Sequence, residues 1–157
     1  MNHSLNAFAD DFLPAFEAGD STHATKSLEA ENVACVQAFY RAVAQGNYEA
    51  VRAYLAPDIA FEILGGQALP SIGASGIDEV MAQIQANFAA VASDEAVIET
   101  MVAQGDMLMA VARNRGHFRA NGAPYHLQLI MHYTFQNGRI WRFRQWLLPL
   151  AEDSTAV

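Results

Sequence analysis

Two side chains of types that transfer protons stand inside strand-like runs of the sequence. Glu62 lies in the run Ile59–Leu64, and His132 lies in a later run near the C-terminus. An acid-base enzyme needs such a group within hydrogen-bond reach of its substrate. Successive side chains of a strand point to opposite faces, so Glu62 is expected opposite Ile63, and His132 opposite Met131. Both are therefore predicted to lie outside an apolar interior, on the surface or in an interface.

Gln145 is the one polar side chain on an otherwise apolar strand face, and Tyr133 lies on the matching face of the preceding strand. Burying an amide without partners costs roughly 1–3 kcal/mol, so Gln145 is expected to bind a neighbouring backbone group, a water molecule or a ligand. Cys35 lies in a helical pattern without a paired His, which argues against a thiolate nucleophile. The sequence has no Gly-rich phosphate loop and no metal-ligand spacing. We expect no cofactor and no metal, and the catalytic residues stay unknown.

A hairpin over residues 133–149 must position Gln145, and it turns at Asn137-Gly138. A two-residue turn would set the apolar side of one strand against the arginine side of the other. A three-residue loop over residues 136–138 matches apolar side to apolar side. Because register follows the burial pattern, we predict the three-residue loop.

That loop places Met131 near Phe143 and Tyr133 near Trp141. The face carrying Trp141, Phe143 and Gln145 then looks inward. The arginines that alternate with these residues look outward.

A second hairpin turns at Asn121-Gly122. A two-residue turn there predicts four residues on the inner face: Leu108, Ala110, Ala112 and Asn114. It sends Arg113, Arg115 and His117 to the outer face with His132. A one-residue change in this loop reverses the facing, so the sequence leaves the alternative open.

The order of the elements predicts an α+β fold, with a curved antiparallel sheet packed on N-terminal helices. Ser27 is expected to cap the first long helix, which Gly46 ends, and Ser75 with Asp78 resembles a capping box for another. A short helix over residues 48–55 and a strand over 59–64 lie between them. The remaining strands are predicted over residues 95–104, 107–119, 125–136 and 139–148.

Residues 1–26 differ from the rest and are predicted to form an amphipathic arm and linker. Leu5, Phe8, Phe12 and Phe16 recur at helical spacing. We expect a short helix that folds back onto the open end of its own domain or onto a partner subunit; the alternative is a passive tail. The domain itself is predicted over residues 27–150, with a C-terminal tail over 151–157.

The composition is that of a globular domain, with 157 residues, 52% hydrophobic and 17% charged. The net charge of -8 argues against nucleic acid as a partner. The sequence has no long apolar run and no secretory signal, which predicts no membrane association and a cytoplasmic location. Residues 107–157 hold six arginines and two acids, whereas residues 1–106 hold three bases and 15 acids. The arginines either pair with acids of the same protein or bind an acidic partner.

Four segments of the sequence resemble a known family. They are "VQAFYRAVAQGNYEAVRAYLAPDIAFEI", "LPSIGASGIDEV", "MVAQGDMLMAVARNRG" and "NGRIWRFRQW". They resemble SnoaL-like, ketosteroid-isomerase-related proteins of the nuclear transport factor two-like superfamily, over about residues 32–149. The resemblance implies a cone-shaped fold and a homodimer. Because this fold hosts isomerases, cyclases, dehydratases, hydrolases and binding modules, it implies little about activity.

The acid-base machinery of the isomerases in this family is not matched in the sequence. The family's helix Tyr falls on Phe39, its strand carboxylate on Ile63 and its oxyanion Asp on Met131. Related members often end in "REYxD", where this chain has Gln145 for the Glu and Leu148 for the Asp. The resemblance therefore implies a pocket without the usual catalytic groups.

We expect a domain that binds a small hydrophobic molecule in an apolar pocket. The residues predicted to line it are Phe39, Phe61, Ile63, Phe88, Met131, Tyr133, Phe143, Gln145 and Leu147. The alternative is a cofactor-free isomerase, polyketide cyclase or dehydratase that uses other residues. In either case a homodimer through the outer sheet face is expected, because Ile130, His132, Arg142, Arg144 and Trp146 share that face and a Trp among arginines suits an interface.

Overall fold

The structure is a computed structural model and describes residues 23–65 and 71–151. Three helices and six strands follow one another along this part of the chain. They are α1 (His23–Ala44), α2 (Tyr48–Ala53), β1 (Leu55–Gly65), β2 (Ile72–Ser75), α3 (Ile77–Ala90), β3 (Val91–Gln104), β4 (Met107–Phe118), β5 (Pro124–Gln136) and β6 (Arg139–Pro149). The residues predicted as an apolar arm, Leu5, Phe8, Phe12 and Phe16, lie outside the described residues, as does most of the predicted tail.

α1 buries Val36, Phe39 and Val43 on one face, at the spacing of three and four residues that a helix requires. It ends where Gly46 adopts φ 67° and the backbone N–H groups of residues 46 and 47 bond back to the carbonyls of residues 43 and 42. This is the Schellman arrangement, which favours glycine. The predicted start at Ser27 is wrong, because the helix begins at His23 and crosses the predicted boundary between residues 26 and 27.

The predicted capping box of α3 is also wrong in its residues. Gly76 is the N-cap, and the Glu79 carboxylate accepts a hydrogen bond of 3.0 Å from the backbone N–H of Ser75. Asp78 instead forms an ion pair with Arg52 of α2. The acid at the third helical position satisfies a backbone N–H, but that N–H belongs to the residue before the N-cap, and Gly76 has no side chain for the reciprocal bond of a capping box.

The strands form one six-stranded sheet in the order β2-β1-β6-β5-β4-β3, and the helices lie against one side of it. The predicted α+β class is confirmed. One pair, β1 with β6, is parallel, and the other neighbours are antiparallel. β2 lies in a stretch for which no strand was predicted, and β1 and β3 each begin four residues earlier than predicted. None of the helices within residues 23–65 and 71–151 is long and apolar enough to cross a bilayer.

The β5–β6 hairpin contradicts the predicted three-residue loop. Gln136 pairs with Arg139, so the turn has two residues, and both Asn137 and Gly138 have positive φ (51° and 74°). This is the turn that Asn-Gly favours. The register then shifts, since Phe135 pairs with Ile140 but Thr134 pairs with Arg142. The bulge brings the apolar sides of the two strands onto the same face of the sheet. The prediction had attributed this match to a three-residue loop.

The partners across β5 and β6 therefore differ by two residues from those predicted. Tyr133 lies opposite Phe143, and Met131 lies opposite Gln145. Trp141 is the extra residue of the bulge, and its indole Nε1 donates a hydrogen bond of 3.1 Å to Asp58. The predicted facing of Phe143 and of the arginines is confirmed, because Phe143 is buried and the arginines are exposed.

The β4–β5 hairpin turns the predicted residues inward and outward, although its loop is longer than the predicted two residues. The backbone N–H of Phe118 donates to the carbonyl of Ala123 across a four-residue loop. Because side chains alternate between the two faces of a strand, a loop of four residues leaves the same residues facing inward as a loop of two. Leu108, Ala110 and Ala112 are buried, whereas Arg113, Arg115 and His117 are exposed.

Two side chains of α1 hold the turn between β3 and β4. Glu29 accepts a hydrogen bond of 3.0 Å from the backbone N–H of Gly105, and the amide of Asn32 donates one of 3.0 Å to the Gly105 carbonyl. Asn32 is 1% exposed, so the pairing satisfies a buried amide. This clamp fixes the N-terminal half of α1 across one end of the sheet.

Candidate functional site

The inner face of the sheet is the side that packs against the helices. Its closed end is an aromatic cluster of Phe39, Phe61, Tyr133 and Phe143, each 4% exposed or less. The Tyr133 ring stacks on Phe143 with 4.6 Å between centroids, Phe61 lies 5.1 Å from the same ring and Phe39 meets it edge-on at 6.3 Å. Side chains this buried are part of the packed core. Six of the nine predicted lining residues, these four with Ile63 and Met131, form this packed region.

A pair of tyrosine hydroxyls lies inside the closed end. The hydroxyls of Tyr40 and Tyr133 are hydrogen-bonded to each other, and that of Tyr40 also donates to the sulfur of Met131 at 2.8 Å. Burial raises the pKa of both tyrosines well above the ordinary value. Both are therefore neutral at physiological pH, and their hydroxyls point at protein atoms. Nothing in the local sequence pattern around Tyr40 shows which hydroxyl it meets across the sheet.

The proton-transfer candidates lie away from this interior. Glu62 accepts a hydrogen bond of 2.7 Å from Arg144 on the outer face, and His132 lies opposite Arg144 in the β5–β6 register. Burial raises the pKa of the Cys35 thiol to about 11, which keeps it protonated. Along β1 to β6 no carboxylate or imidazole shares the inner face. Within residues 23–65 and 71–151 no three His, Cys, Asp or Glu side chains converge as a metal site would require.

The open end of the inner face continues from the closed end along β5 and β6. Leu129, Gln145 and Leu147 are only half-buried there, and Leu129 lies opposite Leu147 in the register. In the described part of the chain, no protein group forms a hydrogen bond with the side-chain amide of Gln145. Phe88, the ninth predicted lining residue, is 41% exposed, because the buried stripe of α3 ends at Ile84.

Most of the sequence that forms this sheet and its helices matches a known family model. The model of the SnoaL-like domain matches residues 36–143. The chain belongs to this family. A search of curated proteins found no match.

Solved structures place the SnoaL-like domain in the wider fold group. An NTF2-like protein from Burkholderia xenovorans has a TM-score of 0.67 at 22% identity, covering 76% of this chain and 91% of that one. A protein assigned as an isomerase from Bacillus subtilis has a TM-score of 0.67 at 17% identity, covering 78% and 89%. An LEH-like epoxide hydrolase from M. tuberculosis has a TM-score of 0.61 at 18% identity, covering 76% and 84%. Identities this low establish the shared fold alone.

The outer face of the SnoaL-like domain carries the arginines, and several of them pair with acids of the same chain. Arg115 contacts Glu95 at 2.9 Å, and Arg113 contacts Glu99 on the same neighbouring strand. The prediction that arginines pair within the protein is confirmed for these residues and for Arg144. Exposed pairs of this kind contribute little to stability. The paired carboxylates nevertheless neutralise the positive charge of the arginines, which would otherwise attract a separate acidic partner.

A groove of about 320 Å³ runs along the β1–β2 edge of the SnoaL-like domain, separate from the open end. Two carboxylates line it, Glu62 and Glu79. Both are engaged, since Glu62 pairs with Arg144 and Glu79 accepts from the Ser75 backbone. The groove therefore offers no unpaired acid for catalysis.

Proposed function

We propose that this SnoaL-like domain binds a small apolar molecule over the open end of its inner face, oriented by Gln145 and without acid-base catalysis. The observation that carries the proposal is the half-buried amide of Gln145, which has no hydrogen-bond partner in the described part of the chain. The leucines beside it offer apolar contact surface. Few polar groups in an apolar surround are typical of small-molecule sites.

Filling the open end should abolish binding. A Leu147→Trp substitution places a large ring where the ligand would lie, whereas Leu148→Trp adds the same ring to the next residue, which points to the other face and is 41% exposed. We expect 2-methylnaphthalene to raise the melting temperature of the wild type and of Leu148→Trp, because a ligand of the folded state stabilises it. Leu147→Trp should weaken binding at least about tenfold. Equal shifts in both variants would place the ligand elsewhere.

Gln145 should contribute affinity only for ligands that can form hydrogen bonds. Gln145→Leu is expected to weaken the binding of 2-naphthol about five- to tenfold, the effect of one neutral hydrogen bond. It should leave the affinity for 2-methylnaphthalene unchanged or improved. Calorimetric titration measures both. If the two ligands lose affinity equally, Gln145 shapes the site and does not orient the ligand.

Acid-base catalysis is the competing candidate, because proteins of this fold include an assigned isomerase and an epoxide hydrolase. The absence of a carboxylate or imidazole from the inner face of β1–β6 favours binding alone. Turnover of a 3-oxo steroid by the purified protein, with a bell-shaped pH profile, would contradict the proposal.

We also propose that a second copy of the chain covers the outer face. An apolar row crosses it, since Val111 lies opposite Ile130, Ile130 opposite Trp146 and Trp146 opposite Leu64. Met109, in the neighbouring row, is 49% exposed. The residues of the row are half-buried in the single chain, and a second copy of this face would cover the apolar surface that they leave exposed.

The dimer prediction is tested by Trp146→Glu, which buries a charge at the centre of the row. Because central Trp residues often carry more than about 2 kcal/mol of binding energy, we expect at least a thirtyfold weaker dimer. Phe88→Glu, a similar change on an exposed residue of α3, should leave the dimer intact. Sedimentation of the wild type as a monomer at micromolar concentration would rule the proposal out.

A further inference from the structure

Three polar side chains from three adjacent strands meet on the inner face beyond the leucines of the open end. The Ser93 hydroxyl lies 3.2 Å from Asn114 Oδ1 and 3.0 Å from the Tyr125 hydroxyl, and the Tyr125 hydroxyl lies 2.9 Å from Asn114 Oδ1. We call Ser93, Asn114 and Tyr125 the polar triad. All three are half-buried. Neither the closed end nor Gln145 uses them.

Two backbone features place the triad on the inner face. The β3–β4 register shifts between Ser93 and Glu95, so that Asp94 is the extra residue of a bulge and Ser93 lies opposite Gly116. Without the bulge, Asp94 would occupy that inner position. Gly116 also lies opposite Tyr125. Because Gly116 has no side chain, Ser93 and Tyr125 reach each other across β4.

The triad has more hydrogen-bond donors than its own contacts can use. Its groups hold four polar hydrogens, one on each hydroxyl and two on the amide. With the Asn114 oxygen toward the hydroxyls, both amide hydrogens are left over. With the amide turned around, its two hydrogens and one hydroxyl hydrogen satisfy the three contacts, and one hydroxyl hydrogen remains. In either orientation at least one donor is available to an acceptor outside the triad.

The charges around the triad favour a neutral acceptor. Burial raises the pKa of Tyr125, a hydrogen bond from Ser93 opposes this, and the negative charge of Asp94 raises it further, so the phenol stays a neutral donor. The nearby basic side chains already have partners: Arg115 pairs with Glu95, His117 Nδ1 lies 3.7 Å from Asp94 and Arg119 donates to the Val91 carbonyl. In the described part of the chain, these basic groups are therefore not left to face an anion bound at the triad.

We propose that the polar triad is a donor subsite that binds a neutral oxygen, such as a ketone carbonyl, at one end of an elongated apolar ligand. The proposal rests on the proposed function of the open end. Asn114 pairs with Leu127, and Gln145 pairs with Met131, four residues further along β5. With strand spacings of about 4.8 Å and rises of about 3.4 Å per residue, triad and Gln145 lie roughly 16 Å apart. A ligand that touches both ends would be an extended one with oxygen at its termini.

The test compares 2-acetylnaphthalene with 2-ethylnaphthalene, which differ by the carbonyl oxygen. Affinities are measured by calorimetry for the wild type, Asn114→Leu, Tyr125→Phe and Gln145→Leu. Tyr54→Phe is the matched control, because the Tyr54 hydroxyl has no hydrogen-bond partner in the described part of the chain. We expect the wild type to bind the ketone about fivefold more tightly than the hydrocarbon. Asn114→Leu should remove this preference and Tyr125→Phe should reduce it, while Tyr54→Phe and Gln145→Leu retain it.

The outcomes separate the subsite from the proposed function. If both probes bind the wild type equally, or if only Gln145→Leu removes the preference, the triad is not the carbonyl site although the apolar site stands. If neither probe binds the wild type, the proposed function and the subsite both fail. Tyr125→Phe keeps the ring that packs 5.4 Å from Phe118, so it tests the subsite even if Asn114→Leu does not fold.

Discussion

Replacing Phe143 with alanine should lower the free energy of unfolding by about 4 kcal/mol, within the range for buried Phe-to-Ala changes. Phe143 is 4% exposed and touches three other aromatic rings of the closed end, with Tyr133 stacked at 4.6 Å. Its loss removes both the transfer energy of the ring and the packing of its neighbours. The rigid sheet on one side and α1 on the other limit how far the site can collapse.

Denaturant unfolding measures the loss of stability in Phe143→Ala. Phe88→Ala is the control, because it makes the same substitution at an exposed residue. Phe88 is 41% exposed, so its removal should cost about 1 kcal/mol or less. The cavity left at residue 143 should also admit benzene, with a measurable rise in melting temperature. Losses of similar size in the two variants would show that the closed end is not the packed core described here.

Gly116→Ala should cost about 3 kcal/mol, at the upper end of the usual penalty for overpacking. A Cβ at Gly116 would meet the carbonyl oxygen and carbon of Ala92 and the Cα of Ser93, all backbone atoms of β3. Backbone atoms cannot turn aside as the end of a side chain can, so β3 must move or the bulge at Asp94 must rearrange. Either response also separates Ser93 from Tyr125.

Gly73→Ala is the matched control, since Gly73 also lies in a strand. There the nearest atom to an added Cβ is the Phe61 carbonyl oxygen at 3.9 Å, an ordinary contact. We expect the control to change stability by less than about 1 kcal/mol in either direction. Thermal and denaturant unfolding measure both variants. Equal small effects would mean that β3 is not held against Gly116 as the structure has it.

The fold class and most of the facing were predictable because they depend on periodicity. Leu108, Ala110 and Ala112 alternate with exposed residues over a whole strand, and burial of one face leaves little freedom in register. The β5–β6 hairpin shows the limit of this argument. Burial required that apolar sides match, but a loop of three residues and a tight turn with a bulge both achieve it. The geometry of Asn137-Gly138 decided for the tight turn.

The candidate site was less predictable, because it depends on how far each position lies from the packed end. Phe143 and Gln145 stand on the same face in sequence, yet one is buried in the closed end and the other is half-buried at the open end. The polar triad was missed for a related reason. Asn114 was predicted inside, but the bulge at Asp94 that brings Ser93 beside it leaves no local sequence signal. Of the triad, a search for polar residues on predicted inner faces would have found Asn114 and Tyr125 but not Ser93, which precedes the predicted strand.

Ligand contact at the open end is tested most directly by the methyl resonances of the leucines in the intact protein. The protein, with labelled leucine methyl groups, is titrated with 2-methylnaphthalene and followed by two-dimensional NMR. We predict saturable shifts for Leu129 and Leu147, which are half-buried on the inner face, and none for Leu148 on the outer face. Saturable shifts at Leu148 alone, or none at Leu129 and Leu147 up to the solubility limit of the probe, would contradict binding at the open end.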